Sequence, residues 1–427
     1  MKRGVLGLFL VGFFLSMAFD GWGYDYPLKD PYLATIIGTP TEFEAKLPEK
    51  IEYKVMKLKV FPDRVPPDVF WYEREFRYSL TYQKGEAPLI FVIAGTGASF
   101  YSSNMIFFQK IFYQAGFHVI CLSSPTHMNF ITTASETSLP GNILEDARDL
   151  YRVMTMAWDQ VKSRIKVSEF YLTGYSLGAS EAAFVSKLDE ERRTFNFKKV
   201  LMINPAVSLY SSAKILDEML LRALPGGPDD WNDWVNRVLG QFAAFYKAMG
   251  RVDLGEDFLY EVYQKFFKTE KPRQEDLATM IGTSFRFSSN SMIFTSDVMT
   301  NAGLIVPKNR VLGSADSLTD YCKVVGRTTF VDYFDELLFP YYKAKHPELT
   351  PGRAIEIDSL HYIEGYLRST PKIGLMGNED DLILAPGDLA FLKETFGSRA
   401  KIYPYGGHCG NMSYTENVEH MINFFKN

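Results

Sequence analysis

Four runs of apolar, strand-favouring residues, separated by segments of helical period, constrain what this 427-residue chain can fold into. They are APLIFVIAG (87–95), HVICLSS (118–124), EFYLTGY (169–175) and KKVLMINP (198–205). A continuous apolar run is the mark of a strand buried on both faces. Between them, MIFFQKIFYQAG (105–116), NILEDARDLYRVMTMAWDQVKSRI (142–165) and LGASEAAFVSKLDEE (177–191) read as helices. Strands joined through helices imply parallel βαβ units with right-handed crossovers, hence an α/β sheet with helices on both faces. Upstream, IEYKVMKLKVF (51–61) and REFRYSLTYQKG (74–85) alternate apolar and polar residues. They predict a half-exposed antiparallel pair.

The alternation stops after Pro205. From about 208 to 370 strand signals are scarce, and WNDWVNRVLGQFAAFYKAM (231–249) sets its aromatic and aliphatic residues along one helical face. FVDYFDELLFPYYKAKH (330–346) reads as helical as far as Pro340, which is expected to kink or end it. Sheet patterning resumes at KIGLMGNED (372–380), then a helix (387–396), KIYPYGG (401–407) and a last helix from Thr415. We therefore expect a core at 24–207 and 371–427, interrupted by a mainly helical insertion at 208–370. Such an insertion would have its own core. Because open sheets bind ligands at the carboxyl ends of their strands, we also expect it to cap that edge.

The chain opens with MKRGVLGLFLVGFFLSMAFDGWG, in which Lys2 and Arg3 precede an apolar run to about Phe19. That is the layout of a signal peptide over 1–23, so we expect a periplasmic or secreted protein, with cleavage preferred over retention as a membrane anchor. Three cysteines, Cys121, Cys322 and Cys409, leave room for at most one bridge. Cys121 and Cys409 could share a sheet edge, though free thiols are preferred. A net charge of −5 lacks the basic footprint of a nucleic-acid binder. The sequence carries no Walker lysine loop, HExxH or paired CxxC.

Chemistry concentrates at Gly174-Tyr-Ser-Leu-Gly178. A serine hydroxyl is a weak nucleophile until a base takes its proton and a third group orients the base. Here Ser176 lies between a strand and a helix, with small residues on either side, as a strand–turn–helix elbow requires. Of six histidines, His408 follows the last strand on the Gly-rich loop YGGHCGNM and is the candidate base, with His127 in reserve or as a pocket residue. Glu379, Asp380 and Asp381 follow the preceding strand, and a carboxylate there could accept the imidazole Nδ1–H.

At these residues the chain resembles the α/β-hydrolase family, over about 51–207 and 371–427. The family order of serine, acid and histidine is matched by Ser176, Asp380 and His408. The family's G-x-x-D turn, aligned on Gly377-Asn378-Glu379-Asp380, selects Asp380 over its neighbours. The resemblance also implies an oxyanion hole formed by the backbone amides of Leu177 and Thr96. Thr96 lies in Ala94-Gly95-Thr96-Gly97, where relatives often carry His-Gly. It further implies a serine hydrolase of carboxylesterase or lipase type that needs no cofactor. Its substrate would be a small or lipid-like ester with an apolar acyl or alkyl group, reached in solution or at a membrane surface. A peptidase or thioesterase would use the same machinery, and a non-catalytic exported binding protein could keep the same scaffold.

Overall fold

A computed structural model describes residues 23–224 and 273–427, together with Asp230, Asp233 and Asn236. The expected signal segment, apart from Gly23, lies outside the described residues, as does all but Asp233 and Asn236 of the expected helix at 231–249. Eight strands form one sheet: β1 (Lys54–Leu58), β2 (Phe76–Thr81), β3 (Ala87–Ile93), β4 (His118–Leu122), β5 (Val167–Tyr175), β6 (Lys199–Ile203), β7 (Ile373–Asn378) and β8 (Ala400–Tyr403). Their order is β1-β2-β4-β3-β5-β6-β7-β8. β2 runs antiparallel to both β1 and β4, and every other pairing is parallel. This is the α/β-hydrolase fold.

The apolar runs form strands because both of their faces are covered. Along β3, Leu89, Phe91 and Ile93 enter one hydrophobic cluster, while Ile90 and Val92 enter another. Helices α4 (Ile143–Val161) and α5 (Leu177–Arg192) complete the first cluster. The opposite face is completed by α2 (Ser103–Gln114) and the C-terminal helix Thr415–Lys426. Burying one such aliphatic or aromatic side chain contributes about 1.5–3 kcal/mol. Two-sided strands therefore hold the sheet more firmly than any surface pair could.

Two expectations need correction. β2 is not half-exposed: it lies between β1 and β4, and five of its six residues are buried. Of the two outcomes expected at Pro340, a kink or an end, the helix does not end there. Phe330–Tyr333, a π-helical turn Phe334–Leu338 and Phe339–Lys345 run on without a break. The wider turn bonds the Phe339 N–H to the Phe334 carbonyl, and Pro340 then sits in the first turn of the next stretch, where its missing N–H costs little.

Between β6 and β7 the described residues contain no strand. They include α6 (Leu209–Leu221) and the long α7 (Gln274–Thr300). Ile293, Val306, Phe330, Tyr333 and Leu338 form a core there, which also takes in Val69, Phe70, Ile131 and Leu139 from two short helices and a loop outside the insertion.

Strand order reverses around β3, which has β4 on one side and β5 on the other, and such a switch point opens a crevice at the strands' carboxyl ends. There α5 starts so close to β3 that a Cβ on Gly178 would run into the Ile93 carbonyl and lie 2.6 Å from that of Ala94. Overpacking of this kind costs about 1–3 kcal/mol. Gly178→Ala should therefore lower the unfolding free energy by that amount, seen as a lower urea midpoint with the unfolding slope unchanged; a midpoint equal to wild type would show that the approach is not tight.

Candidate active site

Ser176 joins β5 to α5 with φ 55° and ψ −127°, a region that non-glycine residues rarely occupy. Strain of this kind costs on the order of 1–3 kcal/mol and persists only where the surroundings impose it. The surroundings here are two glycines. A Cβ on Gly174 would collide with the Gly178 carbonyl, so both ends of the turn must lack a side chain. The Ser176 N–H donates to the Ile203 carbonyl at 2.9 Å, tying the turn to the end of β6. The hydroxyl is thereby held clear of the sheet.

The loop after β8 carries His408 to it. His408 Nε2 lies 2.9 Å from Ser176 Oγ. Its Nδ1 lies 3.0 Å from Asp381 Oδ1 and 3.1 Å from Oδ2. In the neutral imidazole, with Nδ1–H donating to the carboxylate, Nε2 is left to accept from the serine hydroxyl. The acid in this arrangement is Asp381 and not the expected Asp380. Counting from Gly377 misplaced it, because β7 continues through Gly377 to Asn378 and the turn begins one residue later. The Asp381 side chain is 1% exposed, and Asn204 Nδ2 and the Ile383 N–H also donate to it, at 2.8 and 3.2 Å. Asp380 points elsewhere and accepts from the amides of Gly407 and Gly406, at 2.9 and 3.3 Å. It anchors the histidine loop. Glu379 faces solvent and pairs with Lys393 at 2.6 Å.

Burial works to lower the pKa of His408, but Asp381, with the Cys409 sulfur 3.8 Å from Nε2, outweighs it and holds the imidazole well above its ordinary 6.5. His127 takes no part in this contact. It caps the short helix α3 (Met128–Thr133), its Nδ1 accepting from the Asn129 N–H at 3.1 Å. Burial, helped by the nearby Arg77, pushes its pKa down to about 4 and keeps it neutral. All three cysteines are free, so Cys121 and Cys409 are not bridged.

The turn after β3 closes the other side of the site. A Cβ on Gly95 would stand 3.2 Å from Ser176 Cβ and 2.8 Å from the Tyr175 ring, so this backbone lies against the serine. The Gly97 amide is spent on Thr126 Oγ1 at 2.8 Å, and Thr126 is held in turn by Ser124 Oγ at 2.8 Å. The amides of Thr96 and Leu177 donate to no other described residue.

The insertion reaches the same place. A Cβ on Gly97 would lie 2.8 Å from that of Ser288 in α7. Beside Asp381, Leu382 packs on a cluster of Met219, Leu277 and Ile281 from the insertion with Ile36 from the N-terminal segment. Sequence reading missed Asn204, although its place directly after β6, next to β7, was a usable signal. It also missed Thr35, whose Oγ1 accepts the His408 N–H at 2.8 Å. Thr35 stands upstream of every strand and helix read from the sequence, and nothing local pointed to it.

No family model and no curated protein matches the chain. Among solved structures it is similar to the thioesterase domain from the curacin biosynthetic pathway, at 12% identity and TM-score 0.38, over 88% of this chain and 100% of that one. An esterase from Pyrobaculum calidifontis gives 14% and 0.38, over 88% and 83%. The acylaminoacyl peptidase of Pyrococcus horikoshii gives 9% and 0.40, over 88% of this chain and 41% of that one.

The electrostatics can be checked without any substrate. A proton-detected titration of labelled His408 should give a pKa above 6.5 in the wild type. Asp381→Asn removes the largest of the influences that raise it against burial, so the value should fall clearly below that of the wild type. In Asp380→Asn it should stay raised; a drop there and none in Asp381→Asn would reverse the two assignments.

Proposed function

We propose that this chain is an exported serine hydrolase that cleaves an ester-type bond by acyl transfer, with Ser176, His408 and Asp381 as its triad. One observation carries the reading: the unbroken contact from Ser176 Oγ to His408 Nε2 at 2.9 Å and from Nδ1 to Asp381 at 3.0 Å, at the switch point of the sheet. In this mechanism Ser176 Oγ attacks the carbonyl carbon while Nε2 takes its proton. Asp381 keeps Nδ1 protonated and stabilises the imidazolium that forms. The Thr96 and Leu177 amides bind the developing oxyanion, which a backbone donor does without reorganising. His408 passes the proton to the leaving alcohol, then activates water to release the acyl group from Ser176.

The insertion acts in this reading as a cap over the site. The Ser288–Gly97 approach and the apolar cluster beside Asp381 support that role, and they favour an apolar acyl or alkyl group in the substrate. Export rests on Lys2, Arg3 and the apolar run that follows them. Within the described residues no helix is long and apolar enough to cross a membrane.

Hydrolysis of nitrophenyl esters of graded acyl length, with thioester and anilide counterparts, tests the reaction and its substrate class together. We expect ester cleavage to dominate, Ser176→Ala to abolish it, and Asp381→Asn to lower kcat by about 10⁴-fold through the wrong tautomer. Asp380→Asn, which disturbs the hold on the Gly406 and Gly407 amides but leaves the Nδ1–carboxylate contact in place, should lower kcat far less than Asp381→Asn. Full activity in Ser176→Ala would remove the serine from the mechanism, and preferred anilide cleavage would make the enzyme a peptidase.

A further inference from the structure

The histidine of this site sits on a loop with little rigidity of its own. Gly406 and Gly407 precede it with φ of 148° and 56°, and Cys409 follows with φ of 64°. Glycines admit many backbone conformations, so such a loop must be held from outside. Part of the hold comes from the sheet: Asp380 takes the amides of Gly406 and Gly407, and Asn378 Nδ2 donates to the Gly407 carbonyl at 2.8 Å. Asn411 Nδ2 adds a bond to the Tyr405 carbonyl at 3.0 Å, and further hold comes from a segment almost four hundred residues away in sequence.

Helix α1 (Pro31–Ile37) lies directly against the loop. A Cβ on Gly407 would strike the Pro31 carbonyl and come within 2.5 Å of Thr35 Oγ1, and one on Gly410 would strike the Ala34 carbonyl. Thr35 Oγ1 donates to the Pro31 carbonyl at 2.7 Å, a common habit of helical threonine. What is unusual is its second bond, accepting the backbone N–H of His408 itself at 2.8 Å. Two residues further on, Tyr26 Oη and Thr39 Oγ1 donate to the Gly410 carbonyl at 3.0 and 3.2 Å. The other side of α1 packs on the insertion, where Ile36 meets Leu277 and Ile281 of α7.

We propose that Thr35 is a positioning residue for the catalytic base, fixing the His408 backbone so that Nε2 stays within reach of Ser176, with Tyr26 and Thr39 holding the far end of the loop. The inference rests on the serine-hydrolase reading above. A misplacement of about 1 Å at the reacting atoms can cost on the order of 10²-fold in rate. Without the Thr35 acceptor the His408 N–H must move to find another, and the imidazole moves with it.

The test compares steady-state kinetics on a nitrophenyl ester for wild type, Thr35→Val and Thr35→Ser, all as the full chain. Valine keeps the shape but removes the acceptor, and serine restores it. We expect kcat for Thr35→Val to fall by about 10- to 100-fold with KM within about twofold. Thr35→Ser should recover at least half of the wild-type kcat. Tyr26→Phe, which removes one donor to Gly410, should lower kcat about threefold and serves if the valine variant does not fold. An unchanged kcat in folded Thr35→Val, or in Tyr26→Phe in its place, would overturn the inference, as would Thr35→Ser losing as much as valine. If the wild type itself hydrolyses none of the esters, the hydrolase reading fails and this inference falls with it; an active wild type with an undiminished variant removes only the role of Thr35.

Discussion

Everything at this site depends on how closely the start of α5 approaches the end of β3. Gly178 touches the Ile93 and Ala94 carbonyls because it has no side chain, and Gly174 meets Gly178 across the turn for the same reason. That double approach forces Ser176 to φ 55° and lifts its hydroxyl off the sheet. It also brings the turn at Gly95 against the serine side chain. The strain at one residue is supported by two-sided burial of β3 and of the last five residues of β5.

The second half of the site is built in a different way. Asp381 and His408 stand on loops, and hydrogen bonds more than packing hold them. Asn204, itself at φ 46° directly after β6, gives the acid a partner on the strand beside β7. Asp380 holds the glycines before the histidine, and the N-terminal helix holds the histidine's own amide. Adjacent acids thus do separate work: one is directed at the imidazole ring, the other at the backbone that carries it. The insertion touches both halves, through Ser288 at the Gly97 turn and through Leu277 and Ile281 around α1. On the proposed reading, an insertion in contact with both the Gly97 turn and the histidine support would select what enters.

The parts of the molecule legible in the sequence are those fixed by local pattern. Continuous apolar runs gave the parallel strands, and glycines around Ser176 gave the turn, because burial and steric exclusion both act on neighbouring residues. His408 could be chosen from six histidines by its place after the last strand. Asp381 could not be separated from Asp380 in this way. The difference lies in where β7 stops, and strand ends are set by pairing with β8 rather than by composition. Pro340 misled for a similar reason, since a π-helical turn upstream absorbed its missing donor. Thr35 was invisible because its partner lies 373 residues away, and a single threonine gives no periodic signal.

The central claim is that Ser176, activated by His408 and Asp381, is the nucleophile of this protein. It is tested most directly by treating the full chain with a fluorophosphonate and mapping the adduct by peptide mass spectrometry. The account predicts one stoichiometric phosphonyl group on Ser176, absent from Ser176→Ala and formed far more slowly in Asp381→Asn. No adduct on wild-type protein under conditions that label known serine esterases, or an adduct that persists in Ser176→Ala, would contradict it.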